Sequence, residues 1–121
     1  IIAAYEPRSA TSRRNVFQTE LPAAFDGADL VCIIKPFKIE SIPETERIDA
    51  ARVIDDIAKR GIPAKLYDDA DSIVSDIRSG FDATKRAVVV IMSNGGFDGI
   101  YGKMVAAAKE WEGLAQVTVD P

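Results

Sequence analysis

Three arginines and three hydroxyl groups crowd the nine residues Glu6-Pro7-Arg8-Ser9-Ala10-Thr11-Ser12-Arg13-Arg14. The stretch follows a strand-like run and opens onto residues with helical spacing. Unpaired N–H groups at a helix N-terminus, joined by guanidinium and hydroxyl donors, make an anion site for phosphate or carboxylate. The plainer account has Thr11 or Ser12 capping the helix while the arginines stay solvated, and the residues alone leave both open. Arg8 follows the rigid Glu6-Pro7 lead and lies nearest the strand end, so it is the arginine expected to point into a site. Residues 1–15 carry +2 within a chain whose total is −4. Any anion bound must therefore be held locally, and a general nucleic-acid or anionic-membrane partner is not expected.

The second unusual loop is Ser93-Asn94-Gly95-Gly96-Phe97-Asp98-Gly99. Paired glycines let a backbone come close to a ligand, and Ser93 and Asn94 add hydrogen-bonding groups. A purely structural tight turn explains the glycines as well. Other patterns fail. Gly102-Lys103 lacks the glycine five residues ahead of Gly102 and the following Ser or Thr of a phosphate loop, since those places hold Phe97 and Met104. Asp55-Asp56 fits a helix and Asp68-Asp69-Asp71 fits capping, so no metal site is expected. The chain has no histidine, which excludes Ser-His-Asp and Cys-His nucleophiles and imidazole zinc sites. Its one cysteine, Cys32, lies in the apolar run Leu30-Val31-Cys32-Ile33-Ile34. It reads as a small buried hydrophobe in a reducing compartment.

The elements that must position these loops can be read from periodicity. At 121 residues, 47% hydrophobic and 28% charged, the chain fits one soluble domain with one core. Four β-branched runs, Ile1 to Tyr5, Leu30 to Ile34, Ala64 to Tyr67 and Ala87 to Met92, alternate with helix-period segments, the pattern of βα units and a mostly parallel sheet. The last run is apolar throughout, as expected of a central strand covered on both faces. One helix shows Ala50, Ile54, Ile57 and Ala58, with Glu44 and Glu46 near its start and Gly61 beyond its end. The next shows Ala70, Ile73, Val74 and Ile77, capped by Asp68 or Asp69 and stopped by Gly80. The final helix shows Ile100, Met104, Ala107, Ala108 and Trp111. Before them, Phe17, Leu21, Ala24 and Phe25 make an apolar stripe, but Pro22 falls inside it, so a helix ending near Glu20 and a new turn at Pro22 are expected. Residues 112–121 read as a tail, linker or short edge strand. The opening at Ile1, without Met, suggests that sequence precedes it. No apolar stretch reaches membrane-spanning length, and a cytoplasmic location is expected.

In an open parallel sheet ligands sit beyond the carboxyl ends of the strands, where both unusual loops fall. Together, Tyr5-Glu6-Pro7-Arg8-Ser9-Ala10-Thr11 and Met92-Ser93-Asn94-Gly95-Gly96-Phe97-Asp98-Gly99-Ile100, with Gly27-Ala28-Asp29 before the second strand, resemble the C-terminal domain of the Mur ligases over residues 1–111. The resemblance implies an α/β, Rossmann-like single domain with helices on both faces of its sheet. It also implies missing N-terminal and central domains of the same chain. The central one would bind most of the ATP and Mg²⁺, which explains the absent phosphate loop. The reaction implied joins the murein peptide L-Ala-γ-D-Glu-meso-diaminopimelate to UDP-N-acetylmuramate through an acyl phosphate, in peptidoglycan recycling.

By position in the motifs, the resemblance assigns Arg8 to charge stabilisation, Arg8 and Ser9 to the nucleotide phosphates, and Thr11, Ser93, Asn94, Gly95 and Gly96 to the incoming peptide. Arg13 is a further candidate as a carboxylate clamp, and Arg14 has no fixed counterpart. The loop from Lys35-Pro36-Phe37 to Glu46 is expected to shape the peptide side. The isolated chain is expected to be inactive. The alternatives are a ligase of the same family that adds a single amino acid, or a non-catalytic Rossmann-like interaction module.

Overall fold

The computed structural model describes residues 1–80 and 86–110. Four strands, β1 (Ile2–Tyr5), β2 (Leu30–Ile34), β3 (Ala64–Tyr67) and β4 (Val89–Met92), form a sheet in the order β3-β2-β1-β4 with every pairing parallel. Side chains alternate across it, as strand geometry requires. Ala3, Val31 and Ile33 pack on one face with Phe25 and with Val53 and Ile57 of α1 (Ala50–Lys59). Ala4, Cys32 and Ile34 pack on the other with α2 (Ala70–Ser79) and α3 (Ile100–Lys109). Helices thus cover both faces, giving the α/β Rossmann-like arrangement expected from the alternation of runs.

The helix ends follow local chemistry. Asp49 caps α1 by accepting from the Arg52 N–H at 3.0 Å, and Asp69 caps α2 by accepting from the Ser72 N–H at 2.7 Å. Asp69, rather than Asp68, is therefore the cap. Glu44–Glu46 form a separate short 3-10 turn ahead of α1. The apolar stripe of α1 is also rotated from the expected one: Val53 and Ile57 are buried, Ile54 is half-buried and Ala58 is exposed. The stripe of α3 is buried at Ile100, Met104, Ala107 and Ala108. Trp111 and residues 112–121, expected to end the helix and form a tail or edge strand, lie outside the described residues.

Two expectations are corrected. The segment after the arginine-rich loop forms no α-helix but two 3-10 turns, Asn15–Phe17 and Leu21–Phe25. The new turn expected at Pro22 is present, as a residue without an N–H to continue a helix requires. Polar side chains also bind elsewhere: Asn15 donates to the Thr45 carbonyl at 3.1 Å and Gln18 to the Asp49 carbonyl at 3.0 Å. Phe17 is consequently exposed, while Pro22 and Phe25 are buried. Among the described residues β4 is an edge strand rather than a central one, with Val88 58% and Val90 40% exposed. Its apolar composition does not decide this. The chain runs outward from β1 through β2 to β3 and then returns to the free side of β1.

Candidate functional site

That return creates a switch point between β1 and β4, where an open sheet leaves a crevice at its carboxyl end. The loops after these two strands meet there. Glu6, directly after β1, is the one buried charged residue among those described, at 5% exposure. Ser93, directly after β4, donates from Oγ to Glu6 Oε1 at 2.6 Å and accepts at Oγ from the Gly95 N–H at 3.0 Å. The Glu6 N–H also donates to the Met92 carbonyl at 3.0 Å. Burying a carboxylate is costly unless partners compensate. Here Ser93 and the Arg8 guanidinium, whose Nη1 lies 3.7 Å from Glu6 Oε1, do so.

Arg8 is held on further sides. Its Cζ lies 3.7 Å from the centroid of the Phe37 ring, a stacking geometry that suits a planar guanidinium. Phe37 is brought there by its N–H, which donates to the Pro7 carbonyl at 3.1 Å. Beside Phe37, Lys38 adopts a left-handed conformation with φ 45° and places its Nζ 5.2 Å from the same ring. Arg8, Lys35, Phe37 and Lys38 line a cleft of about 530 Å³. Asp68, Asp69 and Asp98 supply its acidic lining, and Glu6 and Gly96 also border it. All four strand ends contribute a loop, and the volume is within the range of small-ligand sites.

The acidic lining also has structural duties. Asp98 Oδ2 accepts from the Ala70 N–H at 2.9 Å, so it shares the N-terminus of α2 with Asp69. The bonds from Ser72 hold the Asp69 carboxyl below its ordinary range. Phe97 and Asp98 lie in left-handed conformations at φ 45° and 50°, followed by Gly99 at 73°. Such backbone is costly outside glycine. Complete burial of Phe97 and the Asp98 bond to α2 hold it in place.

The candidate residues divide accordingly. Arg8, Ser93, Gly95 and Gly96 come together at the crevice, with Asn94 exposed beside them. Ser9 and Thr11 instead line a smaller cavity of about 180 Å³ with Tyr5, Ser12, Arg14, Phe17, Leu21 and Ile48. The Ser9 hydroxyl accepts from the Ser12 N–H at 3.0 Å and donates to Ser12 Oγ at 2.8 Å. It therefore caps a turn, not the N-terminus of an α-helix, and the helix-dipole contribution expected for this loop is absent. Arg13 reaches across to the next loop. Its Nη1 donates to the carbonyls of Phe37 and Lys38 at 3.1 and 3.3 Å and to Ser41 Oγ at 3.0 Å, while Nε donates to the Ser9 carbonyl at 3.2 Å. Arg14 lies 3.7 Å from Glu46. Sequence reasoning gave Glu6 and Asp98 no role, and it marked the loop that holds Phe37 and Lys38 without foreseeing that Phe37 seats Arg8. Phe37 next to lysines on a post-strand loop is the one signal that could have marked a seat for an arginine. No group of three or more acidic or cysteine side chains suited to a metal ion occurs among the described residues.

With this geometry in hand, comparison with known proteins is informative. No protein-family model matches the chain, and no curated protein matches it. Among solved structures, 98% of the chain superposes on a murein peptide ligase from Psychrobacter arcticus 273-4, with TM-score 0.64 and 24% identity, and it spans 22% of that ligase. A second likeness covers 94% of the chain and 68% of a domain from a protein described as a UDP-N-acetylmuramate:L-alanyl-γ-D-glutamyl-meso-diaminopimelate ligase of Haemophilus ducreyi 35000HP, with TM-score 0.57 and 29% identity. The resemblance carried by the two loops is thus met in three dimensions: these structural neighbours are a murein peptide ligase and a domain described as belonging to a UDP-N-acetylmuramate:tripeptide ligase, matching the expected fold of a Mur ligase C-terminal domain.

Proposed function

We propose that this chain is the domain of an ATP-dependent amide-forming ligase that borders the incoming peptide and the nucleotide phosphates. The reaction we assign joins L-Ala-γ-D-Glu-meso-diaminopimelate to UDP-N-acetylmuramate. The observation that carries the reading is the convergence of Glu6, Ser93 and Gly95 on Arg8, beside a cleft that Arg8 and Glu6 line together with Lys35 and Lys38. The Arg8 guanidinium, held by Phe37 and Glu6, would favour a reactant whose negative charge grows during transfer. ATP with Mg²⁺, held chiefly by a central domain, would supply activation of the UDP-sugar carboxylate as an acyl phosphate. Toward that chemistry Arg8 would face the phosphate oxygens, while Lys35 and Lys38 line the same cleft as Glu6, Asp68, Asp69 and Asp98. The cleft loops would orient the peptide amine for attack, and this positioning accounts for much of such catalysis.

The test is Arg8→Ala in the intact ligase, assayed for turnover and for binding of the UDP-sugar. Loss of one preorganised donor lowers turnover by about 100-fold or more, with UDP-sugar affinity little changed. The isolated chain should neither hydrolyse ATP nor join peptides. Unchanged turnover after Arg8→Ala would remove Arg8 from the mechanism, and ATP hydrolysis by the isolated chain would overturn the division of labour.

A further inference from the structure

We infer that Gly95 is a positioning residue for Arg8: its missing side chain is the space in which the arginine lies. This rests on the role of Arg8 proposed above and adds a requirement to it. A Cβ at Gly95 would overlap Arg8 Nε and Cδ and fall 2.6 Å from Cζ. The collision involves the stem and centre of the guanidinium, so a methyl group there must displace the whole group. Two other sides are closed as well, by the Phe37 ring at 3.7 Å and by Glu6 Oε1, 3.7 Å from Nη1.

The same hydrogen bonds hold these walls together. Ser93 Oγ donates to Glu6 and accepts from the Gly95 N–H, so the carboxylate facing the arginine and the backbone beside it are fixed to one hydroxyl. The adjacent glycine differs. A Cβ on Gly96 meets nothing within 4 Å, its φ is −72°, and it lines the cleft itself. Neither its backbone conformation nor a neighbour requires glycine there. The pair that reads as one ligand-approach loop therefore contains one residue that seats an arginine and one that faces the ligand space.

The test uses NMR of the 121-residue chain and kinetics of the intact ligase. Ring currents from Phe37 should displace the Arg8 Nε–H and Cδ–H signals from random-coil positions. Gly95→Ala should return them toward those positions, whereas Gly96→Ala should leave them in place. Unmoved Arg8 signals in a folded Gly95→Ala chain would overturn the inference. If Gly95→Ala prevents folding, Arg8→Ala in the same chain should restore it by vacating the contested space, and failure to restore it would equally overturn the inference. In the ligase, Gly95→Ala should lower turnover by about 100-fold, as expected for a misplaced catalytic group. The double variant should be no worse than Arg8→Ala alone. Losses that multiply would place Gly95 in some other role while leaving that of Arg8 intact. Unchanged turnover in Arg8→Ala would strike the proposed function, and the NMR experiment would still decide how the arginine is seated.

Discussion

Arg8 rests on Phe37, a residue 29 positions further along the chain, and the contact shows how a single side chain is prepared for a task. Stacking of this kind contributes about 0.5–2 kcal/mol, enough to favour one orientation of a side chain that is 30% exposed. A lysine keeps the charge but lacks the planar group, so Arg8→Lys should recover little of the turnover lost in Arg8→Ala. Recovery to parental turnover would show that charge alone suffices. Cys32 illustrates the opposite case. Its thiol is fully buried, lies 4.0 Å from the Tyr67 hydroxyl, and is pushed up to about 11 by burial. Native chain at pH 8 should therefore resist a disulfide-exchange reagent such as DTNB and release one equivalent of chromophore once denatured. Rapid native reaction would mean that β2 is more accessible than its packing indicates.

At the scale of elements, α2 gathers several carboxylates. Asp69 caps it, Asp98 joins it to the loop after β4, and Asp76 near its end accepts from the Tyr67 hydroxyl at 2.8 Å and from Lys65 at 3.2 Å. Hydrogen bonds hold the carboxyls of Asp69 and Asp76 below their ordinary range, through Ser72 for the first and through Tyr67 and then Lys65 for the second. Depressed folded-state values mean stability that is complete above the unfolded carboxylate range, about 3.9. That stability is lost as pH falls through the folded values. The denaturation midpoint should hold between pH 7 and 5 and fall below about pH 4. Asp69→Asn with Asp76→Asn should flatten this acid limb, since neither amide titrates. An unaltered limb would assign acid sensitivity to other groups. The stretch from Asn15 to Phe25 shows why one element was misread. The new turn expected at Pro22 is present, but the helix expected to end near Glu20 is a short 3-10 turn, because Asn15 and Gln18 bond to distant carbonyls that only the fold supplies.

At the scale of the whole molecule, the sheet separates two cores, one centred on Ile57 of α1 and the other on Ile73 of α2, each fully buried. Ile57→Ala and Ile73→Ala should each cost about 2–5 kcal/mol in chemical denaturation. Because the sites lie on opposite faces with no shared cluster, the double variant should lose about the sum. A clear departure from additivity would mean that the sheet transmits strain between its faces. The strand order also decides where chemistry can occur, since reversal at β1 opens the crevice and brings Ser93 to Glu6 across 87 residues. The sequence by itself determined what depends on near neighbours: four strands, α2 and α3 with their buried stripes, Asp69 as one of two possible caps, and the two loops at the strand ends. Only the tertiary structure decided that β4 lies at an edge among the described residues, that Ser9 closes a turn, that Arg13 ties two loops together, and that Phe37, Glu6 and Gly95 surround Arg8. Periodicity and capping act within a few residues and leave a local trace, whereas these contacts arise when distant segments are brought together by the order of the strands.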